Sequence, residues 1–214
     1  MSKILYILSI LILFSCKKKD ESYIISGYVT NPELNIAVSQ MQVSLWGTKI
    51  SNGTVQNQQE KLGSTTTDAS GHFEFKFNKA VYSEIKLVLY KSDYFNVEQN
   101  INPNNLNPGE NYNLTIQAHG IAWLKTIVKN VGTQYNDDKL TYKLSLPYSN
   151  CSSCCSTQQI IFTGTTVDTT WVCPVYAGSK IAIQWIYSHG GNDLPHLDTL
   201  NILLNDTTVH SLYY

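Results

Sequence analysis

TDASGHFEFKFN, residues 67 to 78, holds the two signals that decide the fold. From His72 onward the residues alternate, with Phe73, Phe75 and Phe77 on one face and His72, Glu74 and Lys76 on the other. A period of two is that of a strand burying one face and wetting the other. Just before it, Asp68-Ala69-Ser70-Gly71 is turn chemistry, in which the aspartate bonds its own backbone and the glycine accepts a positive φ. The same alternation recurs in EIKLVLY (84 to 90, with Ile85, Leu87 and Leu89) and in NYNLTI (111 to 116, with Tyr112, Leu114 and Ile116). Half-wetted strands of this kind predict antiparallel sheets packed as a sandwich or barrel.

A second set of strands starts near Ile121. IAWLKTIVKN, KLTYKLSLP, QQIIFTG, DTTWVC, KIAIQWIY, DTLNILL and TTVHSLYY are short alternating runs separated by turn residues at Asn136-Asp137-Asp138, Ala177-Gly178-Ser179, His189-Gly190-Gly191-Asn192 and Asn205-Asp206. Their number and spacing fit an immunoglobulin-like or fibronectin-like sandwich. The expected boundary is Ala118-His119-Gly120, where a strand ends and a glycine permits redirection. The polar stretch TKISNGTVQNQQEK, 48 to 61, shows no periodicity and is expected as a long exposed loop. The predicted fold class is therefore all-β, two consecutive antiparallel β-sandwich domains.

In the first half, Ile25-Ser26-Gly27-Tyr28-Val29, Val43-x-Leu45 and Thr67-Asp68-x-x-Gly71-x-Phe73-x-Phe75 resemble the carboxypeptidase regulatory-like domain, a transthyretin-like β-sandwich. The resemblance covers about residues 23 to 117, in a first domain expected over 23 to 118, and implies a non-catalytic folding and interaction module. The long stretch after Trp46 departs from it, as a binding loop or an insertion. The second half, 119 to 214, resembles the C-terminal region of uncharacterised Bacteroidota lipoproteins, which implies no activity.

The N-terminus concerns location. Lys3 precedes an apolar run from Ile4 to Phe14, the layout of a secretory signal. A spanning helix needs roughly 20 apolar residues, more than this run offers. Leu13-Phe14-Ser15-Cys16 resembles the lipobox of bacterial lipoproteins, which implies a signal peptide over 1 to 15 and lipidation of Cys16. Each buried methylene contributes about 0.8 kcal/mol, so two or three acyl chains, palmitate among them, hold a protein on a bilayer. Residues 16 to 22 then form a lipidated charged tether. Its Lys17-Lys18-Lys19-Asp20-Glu21 resembles the surface-export signal of Bacteroidota lipoproteins, which implies an outer-membrane protein exposed on the cell surface.

Composition narrows the partners. The formal net charge is −1, and all 15 basic residues are lysine. Without a strong field or arginine's planar fork, nucleic-acid binding is not expected. Besides Cys16 there are Cys151, Cys154, Cys155 and Cys173, an even set that favours disulfides in an exported chain. Four thiolates also suit zinc, but adjacent Cys154 and Cys155 point to opposite faces of an extended chain, which makes one tetrahedron awkward. Of the three pairings, Cys173 is expected to take Cys154 or Cys155, with Cys151 taking the other.

His189, Asp193 and His196 in SHGGNDLPH are a metal-ligand set by type, but an irregular loop enforces no geometry on them, and no metal or other cofactor is expected. There is no Gly-x-Ser-x-Gly elbow, His-Glu-x-x-His or phosphate-cradling glycine loop, so no enzyme is expected. Trp123, Trp171 and Trp185 lie in alternating strands and are expected in the core, whereas Tyr135, Tyr148 and Tyr176 near turns are expected outside. Asp168-Thr169-Thr170, Asp198-Thr199-Leu200 and Asp206-Thr207-Thr208 resemble Bacteroidota O-glycosylation sites, which marks Thr169, Thr199 and Thr207 as candidates. The functional expectation is a surface-anchored lipoprotein with a non-enzymatic binding or adhesion role toward a protein or glycan, or an accessory role beside an outer-membrane complex, with membrane contact through Cys16. Glycan capture for uptake is the alternative.

Overall fold

The computed structural model describes residues 22–132, 135–149 and 151–214. They form two β-sandwiches, each with its own apolar core. The first is built from β1 (Ser22–Asn31), β2 (Ile36–Ala37), β3 (Gln42–Ser51), β4 (Thr54–Val55), β5 (Glu60–Thr66), β6 (His72–Asn78), β7 (Tyr82–Tyr90), β8 (Val97–Ile101) and β9 (Asn111–Gln117). The second is built from β10 (Ile121–Lys129), β11 (Lys139–Ser145), β12 (Ile160–Thr163), β13 (Asp168–Tyr176), β14 (Lys180–His189), β15 (Asn192–Asn201) and β16 (Thr207–Tyr213).

The alternating segments behave as their pattern dictates. In β6 Phe73, Phe75 and Phe77 enter the first core, where they face Val43, Leu45, Ile85, Leu87 and Leu89 from β3 and β7. The turn before β6 is held by Asp68, whose Oδ1 accepts from the backbone N–H of Ser70 at 2.8 Å and of His72 at 2.9 Å and from the Ser70 hydroxyl at 2.7 Å. Those bonds, the Ser70 hydroxyl foremost, hold the Asp68 carboxyl below its ordinary value. Gly71 closes the turn at φ 78°, and a Cβ there would stand 2.4 Å from the carbonyl oxygen of Val29.

Pairing follows one scheme in both sandwiches. β1 lies between β6, antiparallel, and β9, parallel, while the facing sheet runs β5-β3-β7-β8. In the second domain β10 lies between β13, antiparallel, and β16, parallel, and the facing sheet runs β12-β11-β14-β15. Apart from the short β2 and β4, the strand order of the first domain is repeated strand for strand in the second.

Two stretches differ from the sequence expectation. Residues 48 to 61 are not a single loop: β3 runs on to Ser51, turns through Asn52 and Gly53 at φ 52° and 73°, and returns as β4 before β5 begins. Two consecutive positive φ values are what a two-residue hairpin requires, and Asn-Gly supplies them. Its surroundings are exposed on both faces, so no alternation marks it. SHGGNDLPH is likewise mostly strand, with His189 paired to Asn192 across the turn Gly190-Gly191.

Candidate binding cleft

The domains meet across Ala118, His119 and Gly120, and the first domain's loop between β7 and β8 closes on that linker. The N–H of Phe95 donates to the carbonyl of His119 at 3.0 Å, and that of Ile121 to the carbonyl of Asp93 at 2.8 Å. From the other side, the N–H of Ala177 donates to Gly120 at 2.8 Å. The junction is therefore paired backbone and not a free hinge.

Side chains extend the joint. Tyr176, buried at the end of β13, stacks on Tyr148 with ring centroids 3.8 Å apart and on His119 at 4.0 Å, and Phe95 leans on it at 5.2 Å. The N–H of Tyr176 donates to the Tyr148 hydroxyl at 2.8 Å. Burial pushes both phenols above their ordinary value, so both remain neutral at physiological pH. The Nδ1 of His119 lies 2.8 Å from Glu33, and since a carboxylate only accepts, that nitrogen carries the proton.

Beside this joint is a cleft of about 730 Å³. One wall comes from the first domain, with Tyr90, Phe95, Asn96, Glu98 and Gln117; the other comes from the second, with Ile121, Trp123, Pro174 and Tyr176, and the rim carries Cys151, Ser152 and Ser153. Trp123 is 45% exposed and Tyr90 55%, so both rings offer open faces. Among the described residues no lysine lines it, and its carboxylate Glu98 lies 3.2 Å from the Lys86 ammonium. A further cavity of about 300 Å³ lies on the β16 side of Trp123, with Asp93, Asn205 and Asp206 in its wall. Trp123 is thus a ridge shared by two hollows.

The expected cysteine chemistry resolves into two bridges, Cys151–Cys154 and Cys155–Cys173, one of the two arrangements left open from the sequence. All four thiols are thereby consumed, which removes the zinc alternative. Cys155 is buried and its N–H donates to the carbonyl of Pro174 at 2.9 Å, so the CSSCC loop is fastened to the end of β13 beside the cleft.

His189, Asp193 and His196 do not converge. Register pairs His189 with Asn192 and Trp185 with His196, which puts Asp193 on the opposite face of the hairpin. His189 instead meets Asp138 at 2.7 Å, and His196 stacks on Trp185 at 3.8 Å. Among the described residues no group of three or more His, Cys, Asp or Glu could hold a metal ion. Of the aromatics, Trp171 and Trp185 pack against the second core as expected, but Trp123 does not: Ala122 and Leu124 point inward, so Trp123 between them faces out. Tyr135 is exposed as expected, whereas Tyr176 is buried and Tyr148 half-buried because they stack on each other. Thr199 and Thr207 are exposed and Thr169 is half-buried in β13. Cys16, the signal over 1 to 15 and the Lys17-to-Glu21 run lie outside the described residues.

Three buried or half-buried carboxylate contacts were not visible in the sequence. Asp138 accepts from the backbone N–H of Tyr135 at 3.0 Å, from the Asn130 amide at 3.1 Å and from His189. The Tyr135 bond foremost, with His189 and Asn130, outweighs burial and holds its carboxyl down at about 2. Asp198 accepts from the Trp185 indole at 2.7 Å and contacts His210 Nε2 at 2.9 Å, bonds that lower its pKa, the indole most. The third is Glu33 with His119. His119, His189 and His210 are thus each engaged by a carboxylate within the fold.

No family model and no curated protein matches the sequence. Solved structures to which the chain is similar include the Bacillus anthracis TIE protein (10% identity, TM-score 0.39, covering 90% of this chain and 33% of that one). They also include (S)-allantoin synthase (12%, 0.33, 46% and 41%) and a streptococcal ancillary pilin (8%, 0.33, 90% and 62%). The chain thus spans less than two thirds of the length of each of these. At these scores the likeness carries no argument.

Proposed function

We propose that this chain is a non-enzymatic binding protein of the cell surface, held on the outer membrane by acyl chains on Cys16 and presenting the cleft between its two sandwiches to a ligand outside. In this reading residues 1–15 are the signal peptide, 16–22 the lipidated tether, 23–118 a carboxypeptidase regulatory-like sandwich and 119–214 the disulfide-bonded sandwich. The role is attachment, or an accessory part beside an outer-membrane complex. The observation that carries it is the pairing of a rigid joint with exposed rings: Trp123 and Tyr90 are held open on a frame of backbone hydrogen bonds. Concave sites with aromatic walls and a few converging polar groups are where ligands bind.

The test has two parts. Cells grown with labelled palmitate should label the wild type and not Cys16→Ala; equal label in both refutes the anchor. Asn96→Trp, at an exposed position in the wall, fills the cleft without touching either core. Cells displaying it should lose adhesion to the extracellular polymer of their own culture by about tenfold, the scale of losing one central contact. Equal adhesion refutes the cleft.

A further inference from the structure

On the reading that the cleft is the binding site, we infer that its ligand is an uncharged saccharide chain that stacks on Trp123 and Tyr90 and crosses the Trp123 ridge into the smaller hollow.

In β10 the inward residues are Ala122, Leu124, Thr126 and Val128, so an outward tryptophan contributes nothing to the core. Leaving about half of a large apolar ring in water forgoes stabilisation that burial would provide, and the cost is recovered only when something covers it. What covers it must have a flat apolar face, and the C–H face of a pyranose ring is one.

Polar groups around the rings specify the rest. The large hollow offers the amides of Asn96 and Gln117 and the hydroxyls of Ser152 and Ser153, and the small one Asn205, Asp93 and Asp206. Amides, hydroxyls and carboxylates together suit hydroxyl groups, which both donate and accept. The charge balance of that lining works against an anionic ligand. Among the described residues no lysine lines either hollow, and two carboxylates, Asp93 and Asp206, flank the ridge. A cationic ligand is disfavoured in the large hollow, because Glu98 already has Lys86 and His119 has Glu33. An extended peptide would bring backbone N–H and C=O groups that need a strand edge to pair with. β8 is such an edge, since it pairs only with β7, but only Val97 and Glu98 of it line the cleft, too short a rail for a ladder, so an extended peptide is left as the competing outcome of the test. Two hollows on either side of one ridge suit a chain longer than one sugar.

The probe is a panel of soluble neutral polysaccharides: dextran, laminarin, mannan, galactan and xylan. Each is cast into a native gel, and the mobility of the full chain is compared with that of Trp123→Ala, Trp123→Phe and Tyr213→Ala. Tyr213 is an exposed aromatic on β16 of the same sheet, at the end remote from the cleft, where it pairs with Lys129. The expected result is retardation by at least one polysaccharide, weakened about tenfold or more in Trp123→Ala, partly restored in Trp123→Phe and unchanged in Tyr213→Ala. Retardation equal in Trp123→Ala overturns the inference. So does an absence of retardation across the panel; if Asn96→Trp still abolishes adhesion, the cleft then binds a peptide or another class of ligand, and if it does not, the cleft reading falls as well. Thermal melts of each variant, expected within a few degrees of the wild type for exposed positions, separate lost binding from lost folding.

Discussion

Replacing Asp138 by asparagine probes the most heavily bonded carboxylate of the second domain. Its side chain is closed off from solvent and gathers the Tyr135 N–H, the Asn130 amide and the His189 ring onto two oxygens. The carboxyl sits at about 2 against an ordinary 3.8, a difference worth roughly 2 kcal/mol at 1.36 kcal/mol per pKa unit. Tyr135 and His189 above it are partly exposed, so solvent screens the site and the expected loss is about 1–2 kcal/mol. The sign follows from the depressed folded value. The contribution is fully present above the unfolded value of 3.8 and disappears as pH falls through the folded value of about 2. Urea unfolding followed by tryptophan fluorescence should show the wild type more stable than Asp138→Asn at pH 7, with the gap constant down to about pH 5 and closing toward pH 2. Equal stability at pH 7, or a gap that persists undiminished at pH 2, refutes the account.

Three other outcomes are expected. Removing Cys155–Cys173, with 18 residues of separation, should cost about 3 kcal/mol under chain-entropy reasoning, and removing Cys151–Cys154, with a separation of 3, about half as much; paired alanine variants and urea titration compare them. Gly178 has φ 81°, and an added Cβ would stand 2.7 Å from Leu34 Cδ2 across the domain joint, so Gly178→Ala should lose about 1–2 kcal/mol and speed proteolysis near residues 118 to 120. Phe73→Ala should cost about 3–5 kcal/mol, while His72→Ala on the other face of β6 should cost under about 1 kcal/mol; calorimetric melts distinguish them.

Legibility in the sequence tracked how one-sided each strand is. Phe73, Phe75 and Phe77 announce β6 because one face is buried and the other wet, and the seven runs after Ile121 are found for the same reason. β4 and the outer half of the β14–β15 hairpin are exposed on both faces, so no alternation marks them; Asn52-Gly53 and Gly190-Gly191 were the usable signals. The shared strand order was invisible, since parallel pairing of Ile24 with Asn111 or of Trp123 with Thr207 joins residues remote in sequence. The outward face of Trp123 could have been read by extending the alternation of Ala122 and Leu124 through it. The rest of the cleft could not, because its walls come from both domains and are brought together by long-range contacts such as Phe95 with His119 and Asp93 with Ile121.

The side-by-side, same-direction arrangement of first and last strands bears on how the molecule takes a pull. In the first sandwich Ile24 to Thr30 run alongside Asn111 to Gln117, and in the second Trp123 to Lys129 run alongside Thr207 to Tyr213. Tension applied between the two ends of either sandwich drags those neighbours lengthwise past each other, straining every rung at once, whereas an antiparallel pair would unzip rung by rung. Both units would therefore resist stretching by flow up to a high force and then give way abruptly.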